Sequence, residues 1–310
     1  MVVDLSRAKS VDEFMKWIVV IKTLRPSFLL LTPVCVFLGI STALMVQSQT
    51  SLLMISLVLL GAVMAHISVN TLNEYYDFSS GLDFKTQKTP FSGGSGVLPS
   101  NPELAGLVLA IGIVSLLITV VIGVYITQRH GFTIVPIGLA GIAVIITYTR
   151  VLNRIPLLSL VASGAGFGIF MVVGTHVALT GGYSPLAWLV SLVPFFLVNN
   201  LLLLNQYPDV EADASIGRNT FPIAFGYKNS NYVYAFFMLA AYALVLMLVI
   251  NKAIPSLSLI ALIPSLFAVF ALRGAIKDPV NIGRQPQYLG ANVAATLLTP
   301  MLLGLAIING

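Results

Sequence analysis

Residues 52–83 read LLMISLVLLGAVMAHISVNTLNEYYDFSSGLD, and this stretch decides what kind of molecule the chain is. Its first part, 52–76, exceeds the roughly 20 residues of apolar helix that cross a bilayer. It closes on Asn73-Glu74-Tyr75-Tyr76-Asp77, and Asp83 follows. A second stretch ends the same way, with Asn205-Gln206-Tyr207-Pro208-Asp209 running on to Glu211 and Asp213. The chain has only 11 acidic residues in 310; these two segments hold six of them, and Glu103 follows the first. Two carboxylate sets in one pocket repel each other unless a cation lies between them. The pattern points to a divalent metal holding an anionic substrate at a membrane surface.

Composition supports the membrane reading. The chain is 57% hydrophobic and 9% charged, with mean hydropathy +0.96, against about 25% charged residues in soluble domains. Nine apolar runs are expected to span: 27–47, 52–76, 104–127, 132–149, 157–180, 185–207, 231–250, 256–273 and 288–308. They are continuously apolar, which excludes the alternation of a β-barrel. The expected fold is an all-α integral membrane bundle of nine helices, with a cytoplasmic cap made by the loops after helices 2 and 6. Residues 1–310 form one polytopic membrane domain, with 1–25 as a cytoplasmic or interfacial segment. With the N-terminus inside, fourteen Lys and Arg fall on the inner side and only Arg129 and Lys252 outside. That asymmetry places the N-terminus and the site in the cytoplasm and the C-terminus outside, in a multi-pass cell-membrane protein. Val11, Phe14, Ile18 and Ile21 recur at helical spacing, with Trp17 beside them, as in a helix lying in the interface. The lone Cys35, inside the first span, excludes a disulfide framework and reads as a packed thiol.

Spacing then aims the polar residues. Asn73 and Asp77 are four apart and share a helix face, and His66 and Asn70 extend that face into the span. For His66 and Asn70 the plainer reading is hydrogen bonding between helices. Asp77 is a functional candidate, as intramembrane carboxylates generally are. Gly81 lets the chain turn so that Asp83 returns toward Asp77. Asn205, Asp209 and Asp213 repeat the spacing, with Pro208 loosening their helix, while Glu211 points away and reads as solvated or ion-paired. Asp and Asn oxygens are hard ligands suited to Mg²⁺. Three histidines and one cysteine make zinc a poor fit. Arg25, Lys85, Lys88, Arg150, Arg154 and Arg218 lie at inner span ends or in inner loops. Singly each reads equally as positive-inside decoration, but beside two acidic motifs they suggest a site for an anionic lipid phosphate. Gly93-Gly94-Ser95-Gly96 lacks the setting of a P-loop and reads better as a flexible closing lid. The two motifs lie 132 residues apart, 77 to 209, which raises the reading of four-helix pseudo-repeats over 26–155 and 156–275 plus a ninth helix.

Three blocks give the chain its resemblance to the UbiA-type intramembrane prenyltransferases. They are Asn73-x-x-x-Asp77 with Asp83, Tyr148-x-Arg150-x-Leu152-Asn153-Arg154, and Asn205-x-x-x-Asp209-x-Glu211-x-Asp213 followed by Gly217-Arg218-Asn219-Thr220. The resemblance implies transfer of a polyprenyl group from its diphosphate to an acceptor, often an aromatic ring. It further implies two Mg²⁺ ions, one on Asn73, Asp77 and Asp83 and one on Asp209 and Asp213 with Asn205 in support. Arg25, Lys85, Lys88, Arg150, Arg154 and Arg218 would face the diphosphate, with Tyr148 near the departing group. Arg154 stands where relatives often carry lysine. The six-residue step from Asp77 to Asp83 is similar to the menaquinone-type branch, which acts on dihydroxynaphthoate. Branches acting on hydroxybenzoate, haem or glyceryl phosphate usually show four. The partners expected are therefore a prenyl diphosphate, an aromatic or other lipid-precursor acceptor and membrane lipid, with no nucleic acid and no obligatory protein partner.

Two rival classes remain. An ion-coupled transporter would use intramembrane Asp and Asn, but such sites lie near the midplane, not at one face. A phospholipid-synthesising phosphotransferase would resemble one compact aspartate block, not two clusters separated by four spans.

Overall fold

Backbone N–H and C=O groups find no water in a bilayer, so each spanning segment must pair its own. The computed structural model describes residues 16–47 and 50–310, and within them every long element is a helix and none is a strand. The long helices are α1 (Leu31–Leu44), α2 (Leu52–Ser79), α3 (Ala105–His130), α4 (Val135–Thr147), α5 (Pro156–Gly164), α6 (Val172–Thr180), α7 (Pro185–Asn205), α8 (Phe221–Ile250), α9 (Ser265–Lys277) and α10 (Pro286–Asn309). Eight helical stretches are long and apolar enough to cross a bilayer. Side chains such as Leu117, Val121, Phe236 and Leu239 are exposed, as they are when lipid is the solvent. These features fit a multi-pass membrane protein.

Proline and glycine account for the departures from the expected spans. The stretch Pro102–Thr147 is one helical run of 46 residues, roughly 69 Å if straight, over twice the hydrocarbon thickness. It is not straight. Gly131 (φ 74) opens a 3₁₀ turn, Gly131–Ile134, and α4 folds back to touch α3. The expected outer loop is therefore a corner within a helical run. The span expected at 256–273 begins as a 3₁₀ helix, Ser256–Leu262, and becomes α-helical only beyond Pro264. Gly226 (φ 76) interrupts α8 and separates its first turn from the membrane segment.

α5 and α6 are joined by seven residues of π-helix, Ala165–Met171. Close packing on α7 accompanies it. A Cβ on Gly168 would collide with the Phe195 backbone, and the Gly164 N–H bonds the Asn199 side chain at 2.6 Å. Such π segments often mark functional sites. α7 is the hub of the bundle, buried against α5, α8 and α10. Asn200, Tyr234 and Asn292 link α7, α8 and α10 by hydrogen bonds of 2.8–3.0 Å. Cys35 is fully buried in this apolar core, as expected. By contrast, only Ile137 of α4 is buried, so that side of the bundle is loosely filled.

Of the expected interfacial helix, Val11 and Phe14 lie outside the described residues, as do Arg7 and Lys9. Residues 16–23 are helical, with Trp17, Ile18 and Ile21 exposed and Val20 buried.

Candidate active site

The space left beside α4 is a cavity of about 620 Å³ bounded by α2, α3, α4, the π segment and α7. One end is polar, with Asn73, Asp77, Asp83, Asn205, Asp209, Asp213, Arg25, Arg218 and Tyr148 on its wall. The rest is apolar, lined by residues such as Val58, Gly138, Phe167, Phe170, Gly174 and Ala178. Asp77 and Val58 are 19 residues apart on α2, a rise of roughly 28 Å. The cavity thus has the shape of a polar head on a long apolar shaft.

Each motif reaches the head by a local device. On α2 the Asn73 amide donates to Asp77 Oδ2 at 2.8 Å, and the Thr149 hydroxyl donates to Asn73 Oδ1 at 3.1 Å. Gly81, at φ 79, reverses the chain into the 3₁₀ turn Leu82–Phe84 and buries Asp83. The second motif differs from its expected single helical face. α7 ends at Asn205, a 3₁₀ turn spans Tyr207–Asp209, and a separate short helix spans Val210–Ala214. Pro208 has no N–H to continue α7. Asn205, Asp209 and Asp213 nevertheless all line the head, and Glu211 is exposed as anticipated.

Arg218 joins the two motifs. Its guanidinium bonds Asp77 of the first through Nη2 and Asp213 of the second through Nη1, the latter at 2.9 Å. Burial alone would lower its pKa, but Asp77 and Asp213 outweigh that and raise it, so it stays charged. Asp83 has no ion-pair partner among the described residues. Its burial, and then the neighbouring Glu74 and Asp77 carboxylates, push it up to about 7.

Arg25 also lines the head, and its side chain pairs with fully buried Glu74 at 2.7 Å. The other four bases expected to face the diphosphate do not line the cavity. Lys85 reaches Ser215 at 3.3 Å, Lys88 lies against Gly96, Arg150 stacks 4.1 Å over the Tyr76 ring, and Arg154 is exposed. His66 bonds Thr32 of α1 at 2.8 Å, the interhelical role anticipated for it, whereas Asn70 bonds the Leu24 carbonyl in the turn before Pro26 at 2.9 Å. Both also border the cavity. Sequence reasoning named Glu74 in the first acidic segment and Ser95 in the glycine-rich loop without giving either a partner, and it did not name Thr149. Glu74 stands four residues after Asn70 on α2 and so shares its face.

The head fits a hard divalent cation by its donor chemistry. Ten buried side-chain polar atoms lack a hydrogen-bond partner among the described residues, and six belong to residues lining this cavity. Three of the six, Asp83 Oδ2, Asn205 Oδ1 and Asp209 Oδ1, are acceptors on the candidate ligands. Buried acceptors call for a donor or a cation. No three His, Cys, Asp or Glu side chains among the described residues already converge on one point. The reason is visible for two of them, since the Arg218 guanidinium fills the space between Asp77 and Asp213.

Known proteins resemble this chain over most of its length. The profile of the UbiA prenyltransferase family matches residues 30–285. A Bacillus subtilis 1,4-dihydroxy-2-naphthoate octaprenyltransferase is 29% identical over 276 residues, covering 83% of each chain. A Dictyostelium discoideum UbiA prenyltransferase domain-containing protein 1 is 26% identical, over 81% of this chain and 77% of its own. Among solved structures, a UbiA homolog from Archaeoglobus fulgidus bound to DMAPP and Mg²⁺ superposes with a TM-score of 0.61 at 14% identity. That match covers 93% of this chain and 98% of the other.

Proposed function

The chain belongs to the UbiA prenyltransferase family and is a prenyltransferase, and we propose that it moves a polyprenyl group from its diphosphate to dihydroxynaphthoate. The observation that carries this reading is the cavity itself, where Arg218 ties two acidic motifs together at the head of an apolar shaft. A prenyl diphosphate has the same two-part chemistry, a polyanion on a long hydrocarbon. The naphthoate acceptor is favoured by the six-residue step from Asp77 to Asp83 and by the activity named for the Bacillus relative.

In this reading Asn73, Asp77 and Asp83 would hold one Mg²⁺, and Asp209 and Asp213, with Asn205 in support, would hold a second. Bound there, Mg²⁺ would supply positive charge to neutralise the diphosphate and stabilise it as a leaving group. Arg25 and Arg218 bind diphosphate oxygens, with Arg218 turning away from its carboxylates to do so. The tail lies in the shaft, where Phe167 and Phe170 offer aromatic faces to developing positive charge. Tyr148, held by Ser163 at 3.2 Å, borders the departing group. The loop 89–96 covers the head and keeps water from the reacting carbon. The ring carbon of the acceptor attacks, and loss of a proton or of carbon dioxide restores aromaticity.

The topology belongs to the same proposal. Counting α3 and α4 as separate crossings gives nine, with the head, both motif loops and the N-terminus on the cytoplasmic side. The motif loops then occupy equivalent places in two four-helix sets, 26–155 and 156–275.

The test is purified protein with Mg²⁺, a labelled prenyl diphosphate and separate dihydroxynaphthoate, hydroxybenzoate and glyceryl phosphate acceptors, with products identified by mass. Prenylated naphthoate as the main product is expected. Product from either other acceptor alone would overturn the assignment.

A further inference from the structure

Four carboxylates in the acidic segments are buried, and Glu74 alone among them does not line the cavity. Its side chain is 0% exposed near the end of α2, and a buried charge persists only where partners offset its desolvation. Glu74 has four such bonds. Oε1 accepts from Arg25 Nε at 2.9 Å, Arg25 Nη2 at 2.7 Å and the Ser95 N–H at 2.8 Å, while Oε2 accepts from the Ser95 hydroxyl at 2.7 Å. One carboxylate therefore ties together two segments that are 70 residues apart in sequence (95 minus 25).

Both segments border the catalytic head. Arg25 occupies a left-handed backbone conformation (φ 53, ψ 63) directly before Pro26, which a non-glycine residue adopts only where its surroundings hold it there. Asn70, one turn earlier on α2, bonds the Leu24 carbonyl of the same corner. The Glu74 pairing uses the Nε edge of Arg25, and its Nη1 makes no hydrogen bond among the described residues. That nitrogen is left for an anion in the cavity. On the other side, the loop crosses both acidic motifs. A Cβ on Gly94 would come within 3.0 Å of Asp83 Oδ1, and Ser92 and Gly93 lie against Asp209. Gly93, Gly94 and Gly96 all have positive φ, which lets the backbone run this close.

We propose that Glu74 is a positioning residue that couples closure of the 92–96 loop to presentation of Arg25 toward the diphosphate. With Ser95 seated on Glu74, the loop covers the metal-binding aspartates and the guanidinium is fixed by one edge with the other free. Without Glu74 the loop loses its anchor. Arg25 is then released toward Asp77 and Asp83, whose charges already act on it. This role rests on the prenyl-diphosphate reading for its ligand, whereas the loop tether does not.

The experiment uses the full chain in nanodiscs, with Glu74→Gln preserving shape and Ser95→Ala cutting the loop tether alone. Hydrogen exchange is followed over residues 89–97 and over α7, and binding of inorganic pyrophosphate with Mg²⁺ is measured by calorimetry. Glu74→Gln is expected to speed loop exchange and weaken pyrophosphate binding by about tenfold or more, as for a lost charge-assisted pair. It should also raise the KM for prenyl diphosphate more than it lowers kcat, and α7 exchange should stay as in the wild type. Ser95→Ala should loosen the loop with a smaller change in affinity. Wild-type loop exchange and affinity in Glu74→Gln would overturn the proposal. So would faster exchange spread equally through α7, which marks a merely structural role. If the wild type itself binds no pyrophosphate with Mg²⁺, the diphosphate reading fails, and loop exchange still decides the tether.

Discussion

Replacing Arg218 by Gln removes the cation between Asp77 and Asp213 and leaves two carboxylates, 8% and 6% exposed, facing each other. Arg218 is itself only 11% exposed, so solvent screens the pair weakly. Breaking one side of a buried ion pair costs about 3–5 kcal/mol. At roughly 2 °C per kcal/mol for a chain of this size, the variant should unfold on the order of 6–10 °C below the wild type in EDTA. Under the proposed metal assignment a divalent cation would take over the role of the guanidinium, so adding Mg²⁺ should recover most of that loss in the variant. In the wild type the arginine competes for the same oxygens, and the Mg²⁺-dependent gain should be smaller. Intrinsic fluorescence melts of detergent-solubilised protein, with Trp17 and Trp188 as reporters, measure both quantities without any turnover. An Arg218→Gln melt equal to wild type in EDTA would refute the bridging role. A Mg²⁺ response no larger than that of the wild type would refute the idea that metal and guanidinium share these carboxylates.

Other substitutions test other parts of the reasoning. Asp77→Asn and Asp209→Asn should each abolish Mg²⁺-dependent prenyl transfer, followed by product mass, while circular dichroism shows the helices retained; full activity in both would sink the metal assignment. Gly138 lines the shaft and has open space around its Cβ position, so Gly138→Phe should fold normally but cut turnover of long-chain diphosphates more than of short ones. Gly168→Ala forces a methyl onto the Phe195 backbone and should destabilise by about 1–3 kcal/mol, read as a lowered melting temperature. Arg154 is exposed and off the cavity wall, so Arg154→Ala should leave the KM for prenyl diphosphate within about twofold, as for a surface change.

Much of the molecule was legible because lipid leaves the backbone few options. A run such as 52–76 must be helical to satisfy its own hydrogen bonds, and the four-residue step from Asn73 to Asp77 then puts both on one face. The bond between Asn73 and Asp77 follows from that spacing alone. The steps less legible are those where proline or glycine acts against its neighbours. Pro208 was expected to loosen a continuous helix, and it ends α7 instead. The π segment at Ala165–Met171 has no sequence period of its own, since it arises where Gly164 and Gly168 press onto α7.

The division for the basic residues is sharper. Charge bias could assign six of them to one expected side of the bundle but could not say which way each side chain turns. Tertiary packing sends Arg150 onto Tyr76 and Lys85 onto Ser215, and brings only Arg25 and Arg218 to the head. By itself the sequence determined which segments are long apolar helices and which helix ends carry the carboxylates, because those depend on local hydrogen bonding and on a fixed helical pitch. Only the tertiary structure decided that Arg218 meets an aspartate 141 residues away and that Glu74 holds Arg25 and Ser95 together. Such long-range pairings depend on how the helices pack, which no local spacing encodes.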